Sequence, residues 1–106
     1  MYKEGLFKEG LAVDLRLVKL KPDDPLVRYN LACSYSLLGE LDRAYAALKK
    51  AILLGFEDFS HLTQDRDLEN LRNDRRFRRL MNKMVTRFKG TKVRNLPKNQ
   101  KIKGLN

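Results

Sequence analysis

The sequence predicts an all-α protein: antiparallel helix-turn-helix repeats, followed by capping helices and a flexible basic tail. Three observations carry that expectation. Apolar residues recur at three- and four-residue steps along most of the chain. Proline, glycine and aspartate stand at the breaks between those stretches, in the places that suit helix ends. No stretch shows the period-two alternation of β-branched residues that a strand requires.

The first helix is expected over 6–21. Phe7, Leu11, Leu15 and Val18 line one face, and Val13, Leu17 and Leu20 widen the apolar stripe. Pro22 and Pro25 interrupt the ladder of backbone hydrogen bonds. Asp24 then serves as an N-cap, with Pro25 at the first helical position, where its missing N–H costs nothing. Leu31, Ala32, Tyr35 and Leu38 form the buried face of this second helix, and Gly39 offers the left-handed stop. A third helix, from about Leu41 to Leu54, rests on Leu41, Ala44, Tyr45, Leu48, Ala51 and Ile52, and Gly55 ends it. Beyond it, Asp58 caps a single turn from Phe59 to Leu62. Asp65 introduces Leu68 and Leu71, and Asp74 caps a last helix. That helix sets Phe77, Leu80, Met81, Met84, Val85 and Phe88 against a cationic face. Residues 90–106 lack a sustained period and are expected to form a basic, disordered tail.

A chain of 106 residues supports one domain, here 1–89, and excludes folds that need several hundred. No apolar run approaches the roughly 20 residues of a membrane span. Acids lie where a secretory leader would be apolar, so a reducing cytoplasm is the expected setting. The net charge of +10 is unevenly placed. Residues 1–71 hold 10 basic and 12 acidic side chains, whereas 72–106 hold 13 basic residues and Asp74 as the one acid.

A period of 34 residues relates Gly5 to Gly39 and Leu20 to Leu54. Over 25–58 the chain resembles the tetratricopeptide repeat family. Leu31-Ala32, Tyr35, Gly39, Ala44, Leu48 and Ala51 stand at the large, small and turn positions of that repeat. Small residues let two helices approach closely while the large ones fill the space between them. Arg28 departs from the pattern, since a large aromatic is usual there. Residues 6–21 resemble the second helix of a preceding partial repeat. Residues 58–89 resemble the capping segment that follows some bacterial arrays of this family. About 4–84 is covered by the resemblance, which implies a fragment of an α-solenoid.

The resemblance implies protein–protein recognition, with a partner peptide or protein lying along the groove. Its candidates here are Tyr29, Asn30, Cys33, Ser36 and Leu37. Asn30 matches an asparagine that some members use to hold a peptide backbone. The lysines of a carboxylate clamp are absent, with Tyr29 and Leu37 in their places.

From the residues themselves, a broad stripe on the first helix calls for a cover, and Phe7, Leu11, Leu15 and Val18 are the self-association candidates, as in a homodimer. Arg75, Arg76, Arg79, Lys83 and Arg87 are candidates for contacting an anion or nucleic acid, the alternative function, through charge rather than base readout. Cys33 and His61 are read as packed residues, with no metal, cofactor or membrane role expected. Asp65 and Asp74 are read as N-caps. No nucleophile or phosphate-loop motif is present, so no enzymatic activity is expected.

Overall fold

The computed structural model describes residues 2–92, with side-chain environments from Gly5 to Met84. All regular elements among the described residues are helical. They are α1 (Tyr2–Leu20), α2 (Pro25–Leu37), α3 (Leu41–Leu53), α4 (Phe59–Leu62), a 3-10 turn at Arg66–Leu68, α5 (Glu69–Arg72) and α6 (Arg75–Lys92). Two boundaries move by more than one residue from the sequence expectation. The first helix begins at Tyr2, a turn earlier than position 6, and α6 continues past Gly90 to Lys92. Of the segment expected to be a tail, 93–106 lies outside the described residues.

The helix ends follow from local chemistry. The Asp24 carboxylate accepts the N–H groups of Leu26 at 2.9 Å and Val27 at 3.3 Å, with Pro25 opening α2. Asp58 accepts the His61 N–H, Asp65 accepts the Asp67 N–H and Asp74 accepts the Arg76 N–H, so each expected cap forms. Helices α2 and α3 end alike. Gly39 adopts φ 78°, while the Glu40 N–H reaches back to the Tyr35 carbonyl and the Gly39 N–H to that of Ser36. Gly55, at φ 114°, repeats the arrangement with Phe56 bonded to Ala51 and Gly55 to Ile52. Both are Schellman endings, and the positive φ explains a glycine at each.

A three-residue turn sends α3 back along α2. Ala32, Ala44 and Ala51 are fully buried at their contact, with Leu48 filling the space the alanines leave. Leu62, Leu68, Leu71, Phe77 and Leu80 close the far side of this core, and α1 packs on α2. Arg28, the departure from the repeat pattern, reaches back so that its Nε donates to the Pro22 carbonyl at 3.0 Å. It therefore steadies the α1–α2 turn rather than filling the core.

Candidate functional site

The cap meets α2 along a line of specific contacts. Ser36 is fully buried; its hydroxyl accepts the Leu71 N–H at 3.2 Å, and its carbonyl accepts from the Asn70 amide at 2.9 Å. Arg72 donates to the carbonyls of Leu62 and Asp65, holding the irregular 62–68 stretch against α5. These bonds fix the segment from Phe56 to Asp67 as a wall facing one side of α2. Between that wall, α2 and Asp14 of α1 lies an open cleft of about 690 Å³.

Tyr29 forms the floor. Its ring stacks on Phe56, with centroids 4.4 Å apart and planes 8° from parallel, and it lies tilted against His61 at 5.8 Å. Its hydroxyl donates to Asp65 Oδ2 at 2.5 Å. The Cys33 thiol lies 3.8 Å from the same oxygen and His61 Nε2 lies 3.2 Å from it. The other oxygen of Asp65 accepts the Asp67 N–H at 2.9 Å. On the opposite edge, the Ser34 hydroxyl donates to Asp14 at 2.5 Å and ties α1 to α2.

Burial alone would raise the Asp65 carboxyl. The donors from Tyr29 and the Asp67 backbone, with His61 beside them, outweigh it and hold Asp65 below the usual carboxylate range. Asp67 shifts upward, first through desolvation and then through the charge of Asp65. Cys33 is pushed up to about 12, by burial first and by the charges of Asp65 and Asp67 next. Burial and the Asp65 bond likewise push the Tyr29 phenol above its ordinary value. The cleft thus sets a phenol and a thiol whose ionisation burial disfavours beside the acidic side chains of Asp14, Asp58, Asp65 and Asp67. No lysine or arginine is among the residues that line it.

Of the groove candidates, Tyr29, Asn30, Cys33 and Leu37 line this cleft together. Asn30 is the exposed member, whereas Tyr29 and Cys33 present only a few per cent of their surface. Ser36 is a correction. It turns inward to the cap, because its position on α2 faces α5 and not the cleft. Asp14, Leu26, Ser34, Phe56, Asp58, His61, Asp65 and Asp67 complete the cleft without having been singled out for it. Asp58 and Asp65 carry capping signals in the sequence, but nothing local reports that they converge on residues more than twenty positions away.

The apolar stripe on α1 also divides differently from expectation. Leu11 and Val18 pack on the core and Phe7 is half-buried, so α2 already covers much of the predicted face; Leu15 remains 40% exposed. The more open apolar residues are Leu6, Val13 and Leu20, at seven-residue steps on another face. On α6, Arg76 is not free. It bonds to Asp74 at 2.9 Å and Asp42 at 2.8 Å, and its guanidinium lies 5.4 Å from the Tyr45 ring centre. Arg75, Arg79 and Lys83 are exposed and carry no ion pair among the described residues. The Arg87 side chain lies outside the described residues.

Donor atoms of Cys33, Asp65 and Asp67 come within 4.8 Å of one another, which brings Cys33 closer to potential metal ligands than its isolation in the sequence suggests. The set nevertheless fits an ion poorly. The Asp65 oxygens are engaged by Tyr29 and by the Asp67 N–H, and the thiol would have to ionise against two neighbouring carboxylates.

No protein-family model matches the chain, and no solved structure matches it. Among curated proteins it is similar to a chloroplastic protein of Arabidopsis thaliana, with 33% identity over 89 residues. The match takes in 81% of this chain and 27% of that protein. The chain therefore spans about a quarter of the relative's length. Among the described residues, no helix is long and apolar enough to cross a membrane.

Proposed function

We propose that the protein is an interaction module of the tetratricopeptide type, an adaptor that binds a partner peptide in the cleft between α1, α2 and the cap. The observation that carries this reading is the composition of the cleft. An aromatic floor, an exposed Asn30 and four aspartates surround it, with no lysine or arginine among its lining residues. A peptide presenting a lysine or arginine suits such a site, its stem lying along the half-buried Phe56 that backs Tyr29 and its charge among the aspartates. A peptide anchored by its C-terminal carboxylate does not. The 34-residue period, the paired Schellman endings and the three buried alanines support the repeat assignment. No catalytic step is part of the reading, and a cytoplasmic setting is kept as the expectation; the name of the Arabidopsis relative places that protein in the chloroplast.

The test is titration of the labelled protein with short peptides carrying either lysine or glutamate. Preference for the lysine peptide, lost in Asp58→Asn/Asp67→Asn, supports the cleft. Equal binding of both peptides contradicts it.

The adaptor reading includes weak self-association through the open stripe of α1. An antiparallel pairing of two copies about Val13 would set Leu6 against Leu20 and bring Glu9 to within one residue of the level of Arg16. That self-complementarity suits a two-fold contact. The exposed stripe is small beside the roughly 800 Å² per partner of a stable interface, so the contact is a weak one.

One observation favours a second reading. Arg75, Arg79 and Lys83 are exposed and not neutralised by Asp65, Asp67 or Glu69. Contact with nucleic acid through them would weaken steeply with salt, and a salt titration with a short RNA tests it.

A further inference from the structure

A second groove, of about 760 Å³, lies on the other side of the molecule between α3 and α6. Its floor is apolar, made by Ile52 and Met84, and Leu53 stands at its edge with 68% of its surface exposed. Leu53 belongs to no buried face of α3. Three cations, Lys49, Arg79 and Lys83, line the same groove, and no carboxylate does among the described residues. None of the three carries an ion pair there, in contrast to Arg76, which Asp42 and Asp74 hold above Tyr45 at one end.

We infer that this groove is a docking surface for an acidic amphipathic helix of a partner protein. Charge complementarity carries the assignment, and the apolar floor narrows it. A phosphate backbone would pair with the cations but leave Leu53 and the half-buried Ile52 facing water. A flat lipid surface could not reach the floor of a concave groove between two helices. A helix with leucine-type residues along one stripe and glutamates beside it meets both requirements. From Tyr45 to Leu53, α3 rises about 12 Å, which matches roughly two turns of a docked helix. The inference stands apart from the acidic cleft, which draws on α1, α2 and the cap and selects the opposite charge.

The experiment uses a fluorescein-labelled peptide of about 14 residues, with leucine at every third or fourth position and glutamates between. Comparison ligands are its Glu→Gln form, its Leu→Ser form, an RNA of equal charge, and vesicles of mixed phosphatidylserine and phosphatidylcholine. The Leu/Glu peptide is expected to bind at least about tenfold more tightly than every comparison ligand. Lys49→Glu/Arg79→Glu/Lys83→Glu should abolish that binding, and Leu53→Ser should weaken it severalfold. Both variants alter exposed side chains, so circular dichroism should match wild type. Asn30→Ala, in the acidic cleft, should leave the affinity unchanged. No measurable binding of the Leu/Glu peptide would overturn the inference. So would equal binding by the Leu→Ser peptide, the RNA or the vesicles, or indifference to the three charge reversals.

Discussion

The Tyr29 hydroxyl of α2 donates to the Asp65 carboxylate across 2.5 Å, joining residues 36 positions apart in the chain. The bond fastens the irregular cap to the α2–α3 hairpin and at the same time defines the floor and one wall of the acidic cleft. Tyr29→Phe keeps the stack on Phe56 and removes only the donor. A hydrogen bond to a charged group contributes about 1.5–3 kcal/mol, so urea unfolding of Tyr29→Phe should show a loss in that range. Tyr29→Ala also loses the buried ring and should cost about 3–5 kcal/mol.

Acid titration should separate the carboxylates. Asp65 and Asp74 are both held below their ordinary values, Asp74 at about 2 through the side-chain and backbone donors of Arg76. Their contribution is complete above the unfolded carboxylate value of about 4 and is lost as pH falls through the lower folded value. Asp67 has the opposite sign: its charge is disfavoured in the fold, so its penalty is relieved as pH falls through its raised value. Thermal melts across pH 7 to 2 should show a shallower acid limb for Asp74→Asn. Asp67→Asn should melt at or above the wild-type temperature at pH 7.

The elements of the fold were legible because the signals are local. Asp24, Gly39, Gly55, Asp58 and Asp74 each act on a neighbour within a few positions, and each does what its residue type implies. The cleft was legible only on the α2 side. Tyr29, Asn30, Cys33 and Leu37 share a helix face and so share a period, but the carboxylates opposite them arrive by tertiary packing. Ser36 was misplaced for the same reason. Its spacing on α2 does not reveal that α5 covers it. On α1 the sequence shows one broad apolar stripe but not which part of it α2 takes.

That division on α1 has a direct consequence. Sedimentation velocity over a concentration series should show weak dimerisation of wild type and a monomer for Val13→Glu with unchanged unfolding. Leu11→Glu should instead lower the unfolding midpoint, because Leu11 packs on the core. A wild-type monomer at millimolar concentration would remove self-association through α1.

Cys33 should be chemically quiet. With its thiol pushed up to about 12 and 7% of its surface exposed, it holds almost no thiolate near neutral pH. Labelling by iodoacetamide at pH 8 should be negligible in the native state and complete in urea. Stoichiometric labelling of the folded protein within minutes would contradict the described environment.

The most direct test of the account is a two-dimensional ¹⁵N–¹H NMR titration with a short lysine-containing peptide. The account predicts saturable shifts confined to the amides around Asn30, Ser34, Leu37, Asp58 and Asp67, abolished in Asp58→Asn/Asp67→Asn. A peptide carrying glutamate in place of lysine should move none of them. Shifts spread over α6 instead, or equal shifts with both peptides, would contradict a cleft that selects a cationic partner.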